Sequence, residues 1–184
     1  MPLYHQKFVT KHHIEYEIVS TDDYSFLPAD FYSLVAIFSD PAVYKYVSEE
    51  TLKKHYPDSP YTELQAIDFL RFSIFHWQKK EQFRFLIRRT DNAKLVGYIN
   101  IEPRDGDIPE RSMVKLSAEP GFMKAALKIV LGFASQMGYS TTFGLVDVTN
   151  ERMNNFALSF GMKLVGQVTE NGHDFNRYEF SYKI

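Results

Sequence analysis

Residues 150–162 read NERMNNFALSFGM, and residues 163–168 continue as KLVGQV. Gly161 stands eleven residues after Asn150, an apolar residue follows it, and a strand pattern follows that. Residues 155–160 are expected to form a short helix. Asn150 is suited to cap such a helix, because its side-chain oxygen can accept from a backbone N–H of the first turn. An equally open role for Asn150 is a contact to a cofactor or substrate.

Working outward, residues 162–168 and 175–182 read as a strand pair around Glu170-Asn171-Gly172, and Asn-Gly in such a connection is a hairpin signal. Upstream, residues 142–148 read as a strand. Residues 123–137 read as a helix apolar on most sides, through Leu127, Ile129, Val130, Leu131, Phe133 and Ala134, which predicts a buried helix. Gly138 suits its C-terminal end. Pro120-Gly121 breaks the chain before it, residues 113–118 read as a strand, and residues 104–110 as a polar loop.

In the first half, Phe83, Phe85 and Ile87 alternate with Arg84, Leu86 and Arg88. After a turn at Thr90-Asp91-Asn92-Ala93, Leu95, Gly97, Ile99 and Ile101 alternate with Val96, Tyr98 and Asn100, which predicts a hairpin. Thr62-Glu63-Leu64-Gln65 reads as a capping box. Behind it Ile67, Leu70, Ile74 and Trp77 recur at helical spacing, in a helix ending near Lys80. Residues 53–61 read as a loop. Asp30 is expected to cap a short helix carrying Phe31, Leu34, Val35 and Phe38, and Asp40-Pro41 to open a second. Residues 5–19 alternate loosely as one strand, with Ile14, Tyr16 and Ile18 on one side. The expected fold is a mixed α/β (α+β) single domain over residues 1–184, with a central mixed sheet of about six to seven strands flanked by about four helices.

Composition bounds the function. A chain of 184 residues is expected to be one domain and to bury roughly 70% of its unfolded surface. The sequence holds no Cys, which excludes disulfides, thiolate catalysis and Cys-ligated metal. Lys and Arg number 21 against 23 Asp and Glu, so neither nucleic acid nor an anionic membrane is an expected partner. The start, MPLYHQKF, has no apolar signal core, and Lys128 interrupts the longest apolar run. A span needs about 18 apolar residues, so a cytoplasmic location is expected. His12 and His13 would point to opposite faces of a strand, and no metal site is expected. The 16 Phe and 12 Tyr predict a large aromatic core, with a groove or protein interface as the sharper reading.

The order and spacing of these elements resemble the GNAT N-acetyltransferase superfamily. The Asn150–Gly161 spacing is similar to that family's closing segment. SLVAIFSDPAVYKYV at residues 33–47 and the hairpin of residues 84–101, with Lys94-Leu95-Val96-Gly97 at its re-entry, are similar to its branch of ribosomal-protein and other N-terminal acetyltransferases. The resemblance implies acetyl-CoA as cofactor and transfer of an acetyl group to an amine, either a protein N-terminus or a small molecule. It implies a carboxylate or ordered water as base, for which Glu102, Glu119 and Asp147 are the candidates. It also implies cofactor contacts from Leu116, Ser117, Gly121, Phe122, Met123, Lys124 and Asn150, with the pyrophosphate on the N-terminus of the helix that follows Gly121.

The chain departs from the family pattern at that phosphate loop. SAEPGFMKAAL, residues 117–127, aligns at its tail, but the loop is several residues short. It has one Gly, no Arg or Gln at its start, an acid at Glu119, and at Pro120 a residue without an N–H. Two lost donors to a charged group would weaken binding by roughly 3–6 kcal/mol, on the order of a hundredfold to ten-thousandfold. In the closing segment, Met153 stands where Ser or Ala is usual and Ala157 where many members carry a Tyr. The alternative to an enzyme is therefore a catalytically degenerate GNAT-fold binding protein, such as a regulatory subunit or toxin-neutralising immunity protein, with a protein partner. A donor other than acetyl-CoA is a third reading.

Overall fold

The computed structural model describes residues 4–22, 28–39, 62–103, 111–118, 121–170 and 172–182. Its elements in order are β1 (His5–Val9), β2 (Glu15–Ser20), α1 (Pro28–Ser39), α2 (Glu63–Gln78), β3 (Phe83–Arg89), β4 (Leu95–Pro103), β5 (Arg111–Ala118), α3 (Met123–Gln136), β6 (Thr141–Asp147), α4 (Glu151–Phe160), β7 (Lys163–Glu170) and β8 (His173–Ser181). The strand order is β1-β2-β3-β4-β5-β6-β8-β7. β5 runs parallel to β6, while β6 with β8 and β7 with β8 are antiparallel. This is the mixed α+β architecture expected from the element order. The expected cap at Asp40-Pro41, the loops at residues 53–61 and 104–110, and Glu119 and Pro120 lie outside the described residues. Among the described residues, no helix is long and apolar enough to cross a membrane.

The chain divides into two compact units, Met1–Asn100 with Leu116–Leu127 and Ile101–Lys115 with Lys128–Ile184. In the first, the single strand expected over residues 5–19 is a hairpin. The chain reverses where Thr10 and His13 N–H donate to the carbonyls of Ile14 and Thr10, 3.0 Å each, with His13 at φ 59. Tyr16 and Ile18 are buried, as their alternation implied.

Asp30 does not cap α1. It lies inside the helix's first turn, is wholly buried, and accepts from Arg88 Nε at 2.9 Å and Nη2 at 2.5 Å. A buried carboxylate requires a partner of opposite charge, and a partner from a distant strand leaves no local signal. Burial opposes the charge on Arg88, but the hydrogen bonds and charge of Asp30 outweigh it and hold the guanidinium above its ordinary pKa. Glu17, opposite Arg88 in the β2–β3 register, adds a second carboxylate at 3.5 Å.

The capping box of α2 forms as its sequence implied. Thr62 Oγ1 accepts from Gln65 N–H, and Gln65 Oε1 accepts from Thr62 N–H at 2.5 Å. Leu70, Ile74 and Trp77 face the core, Ile67 is half-buried, and the helix ends at Gln78. Leu34, Phe38, Ala66, Leu70, Leu86, Leu95 and Tyr98 form one cluster. Full burial of a large apolar side chain contributes about 1.5–3 kcal/mol, so this cluster anchors α1 and α2. Nearby, Trp77 packs edge-on against Phe83 and Phe85, both at 5.2 Å. β4 differs from its alternating pattern, because every residue from Leu95 to Glu102 is buried. A strand covered on both faces has no solvent side, so alternation cannot sort its residues.

α3 is not apolar all round. Lys124, Lys128, Gly132 and Gln136 are exposed and recur every fourth residue, which is one stripe of a helix surface. Its end matches expectation, with Gly138 at φ 91. In the second unit, α4 begins at Glu151, four residues before the expected start, and Gly161 closes it at φ 101.

Candidate functional site

The helix start proposed for anion binding is well defined. α3 opens at Met123, and Phe122 C=O accepts from Ala125 and Ala126 N–H, both at 3.1 Å. Phe122 is 2% exposed and its ring lies 4.9 Å from that of Tyr16, which in turn stacks on Phe8 at 5.4 Å. Phe122 and the 8% exposed Met123 are therefore core anchors. Any contact they make to a ligand comes from their backbone. Gly121 is exposed, at φ 111, and a Cβ placed there would meet nothing within 4 Å. An open glycine leading into a helix N-terminus lets a ligand approach the backbone donors and the positive end of the dipole. The described residues thus suit a pyrophosphate, despite the shortened loop. Lys124 is exposed on the first turn, and Leu116 and Ser117 contribute backbone to β5.

The two candidate acids among the described residues differ. Glu102, near the end of β4, is a buried carboxyl at 7% exposure. Asp147, last residue of β6, is half-buried and accepts from Thr149 N–H at 2.8 Å and Thr149 Oγ1 at 2.6 Å. Those bonds build a turn, and they occupy an oxygen that a general base would offer to substrate.

Asn150 caps α4: its Oδ1 accepts from Met153 N–H at 3.2 Å. The residue that organises this corner is Asn154, which sequence reasoning missed. Asn154 Nδ2 donates to the carbonyls of Asp147 at 3.0 Å and Asn150 at 2.9 Å. Its Oδ1 accepts from Asn176 Nδ2 at 2.8 Å and Tyr178 Oη at 2.9 Å. Both donors and both lone pairs of the amide are used, which ties the end of β6 and the start of α4 to β8. Its position four residues after Asn150, one helical turn on, is the only sequence signal for it.

A second hydrogen-bonded chain runs from the buried Ser112 through the buried Thr142 to the half-buried Tyr182, with Oγ–Oγ1 and Oγ1–Oη distances of 2.7 Å each. Burial pushes the Tyr182 phenol up to about 12, against a smaller lowering by its Thr142 bond. It stays protonated at neutral pH. The described residues contain no group of three or more side chains able to hold a metal.

The model of the acetyltransferase (GNAT) domain matches residues 25–163. The chain belongs to this family of acetyltransferase domains. Among solved structures it is similar to the microcin C7 self-immunity acetyltransferase MccE in complex with acetyl-CoA and AMP, at TM-score 0.69 and 16% identity over 90% of this chain and 92% of that one. It is also similar to RimL, the ribosomal L7/L12 alpha-N-protein acetyltransferase in complex with coenzyme A, at TM-score 0.69 and 16% identity over 90% and 93%. A third is spermidine N-acetyltransferase from Vibrio cholerae in complex with CoA and spermine, at TM-score 0.63 and 12% identity over 89% and 95%. No curated protein matches the sequence.

Proposed function

We propose that this protein is an acetyl-CoA-dependent N-acetyltransferase whose acceptor is an amine, on a protein N-terminus or a small molecule. The observation that carries the reading is the exposed, positive-φ Gly121 leading into the start of α3, within a chain of the acetyltransferase family. The cofactor, when bound, supplies the acetyl group as a thioester. The backbone at Gly121, Phe122, Met123 and Lys124 binds and orients its pyrophosphate, with Phe122 holding that backbone in place through its buried ring. Glu102 and Asp147 are the candidate acceptors of the amine proton, directly or through a water.

A second reading, a binding protein that does not use acetyl-CoA, is favoured by the structural engagement of Asp147 and Asn150. Its partner would be another protein.

A titration of acetyl-CoA against thermal unfolding separates the two. Ligand at about a hundred times its dissociation constant stabilises by about 2.7 kcal/mol, or roughly 5–11 °C for a chain of this size. The enzyme reading expects that shift in the native chain and its loss in Gly121→Pro, which clashes with φ 111 and removes an N–H. No shift at millimolar acetyl-CoA would overturn the enzyme reading, and a shift abolished by Gly121→Pro would overturn the binding-protein one.

A further inference from the structure

Residues 117–121, which lead into α3, read SAEPG and bring no cation to the anion site. Another part of the chain places one beside it. β2 and β3 pair with Tyr16 opposite Arg89, and β1 and β2 pair with Phe8 opposite Tyr16. Directly opposed residues of an antiparallel pair share one face of the sheet, so Phe8, Tyr16 and Arg89 form a row across three strands. Tyr16 is the middle of that row, and its ring lies 4.9 Å from that of Phe122, the residue before α3. Phe8 stacks on one side of Tyr16 at 5.4 Å, and Arg89 flanks it on the other. The preceding residue, Arg88, points to the opposite face, where Asp30 of α1 holds it, as alternation along a strand requires.

Arg89 is the last residue of β3, and Asp91 grips its guanidinium from the following turn. The Nε–Oδ1 distance is 3.1 Å and the Nη2–Oδ2 distance 2.6 Å. The two side chains are 31% and 55% exposed. An ion pair so open to solvent contributes little to folding, so its effect is to orient Arg89. The guanidinium carries five donors in a planar fork that matches the oxygens of a phosphate, and a second anion can bind it alongside a carboxylate.

We propose that Arg89 is a phosphate-binding residue of the acetyl-CoA site. Together with the backbone at the start of α3, it holds the cofactor's pyrophosphate and supplies the positive charge that residues 117–121 lack. The inference rests on the acetyltransferase reading above.

Calorimetric titration of the full chain tests it, with acetyl-CoA and with its 3′-dephospho analogue as the two probes. Arg89→Gln is expected to weaken acetyl-CoA binding roughly tenfold to a hundredfold, the loss of a hydrogen bond to a charged group, and to weaken the analogue by the same factor. Arg89→Lys keeps the charge without the fork and should fall between. Arg71→Gln removes the same charge from the exposed face of α2 and should change either affinity by less than about twofold, since salt screens distant surface charges. Ligand-free unfolding temperatures should match the native one throughout. An Arg89→Gln chain that binds acetyl-CoA as the native chain does would overturn the proposal and leave the acetyltransferase reading standing. Equal losses in Arg71→Gln would overturn it by reducing the effect to net charge. A loss confined to acetyl-CoA would overturn it by moving Arg89 to the 3′-phosphate. A native chain that binds neither probe would overturn the acetyltransferase reading itself, and this inference with it.

Discussion

Replacing Asn154 with Ala removes four hydrogen bonds at one position: two donated to the carbonyls of Asp147 and Asn150, and two accepted from Asn176 and Tyr178. A net hydrogen bond contributes about 0.5–1.5 kcal/mol, and a buried donor left without an acceptor costs about 1–3 kcal/mol. The Tyr178 side of the network is the costly one, because that residue is 2% exposed and water cannot readily replace the amide. The two carbonyls lie nearer solvent, and Asn150 also accepts from Asn154 N–H at 3.0 Å, so their loss is cheaper. The sum is about 2–4 kcal/mol, since bonds in one network do not add. At roughly 2–4 °C per kcal/mol for a chain of this size, the unfolding temperature falls by about 4–16 °C. Tyr178→Phe deletes one bond and is expected to cost about 1 kcal/mol. In a double-mutant cycle with Asn154→Ala it should show coupling of about 0.5–1.5 kcal/mol, because the hydroxyl has no amide left to lose. Denaturant unfolding of the four proteins measures all three values. An Asn154→Ala chain within about 0.5 kcal/mol of the native one, or a coupling near zero, would refute the account of this corner.

Two further outcomes follow from the same geometry. Glu102→Gln is expected to lower kcat by about a hundredfold to ten-thousandfold if Glu102 takes the amine proton. Asp147→Asn, which keeps an oxygen for the Thr149 bonds, should change it less than about tenfold, and the reverse order would move the base to Asp147. Stability should fall with pH between about 10 and about 12, because the Tyr182 phenol is held up to about 12 in the folded chain while the unfolded phenol ionises near 10. The contribution is fully present below the unfolded value and is lost as pH rises through that window. Tyr182→Phe should reduce this slope in unfolding curves taken across the range, the remainder coming from the Tyr4 and Tyr139 phenols, which burial also raises.

Much of the fold was legible because its signals are local. The Thr62–Gln65 capping box, the apolar repeat behind it, the turn at Thr90–Ala93 and the Asn150 to Gly161 spacing each report on a single element or turn, and each matches the structure. Two of the misreadings share one cause, a contact from a distant element. Asp30 reads as a cap until Arg88 is brought against it from β3. β4 reads as half-exposed until both its faces are covered. α3 reads as buried because Lys124, Lys128, Gly132 and Gln136 are too few and too mixed to announce a solvent stripe.

The candidate site divides along the same line. Gly121 and the helix after it were legible, because a glycine at a helix start has a local conformational reason. Asn154 was not, because its partners at positions 147, 150, 176 and 178 come together only when β6, α4 and β8 are assembled. By itself, the sequence determined most of the element order, the Thr62 and Asn150 caps and hence the fold family, since these depend on residues close to one another in the chain. Only the tertiary structure decided which acid is held in a turn, which charge is buried in an ion pair, and which amide ties β6, α4 and β8 together. Each of those depends on a contact between residues that the chain alone does not place together.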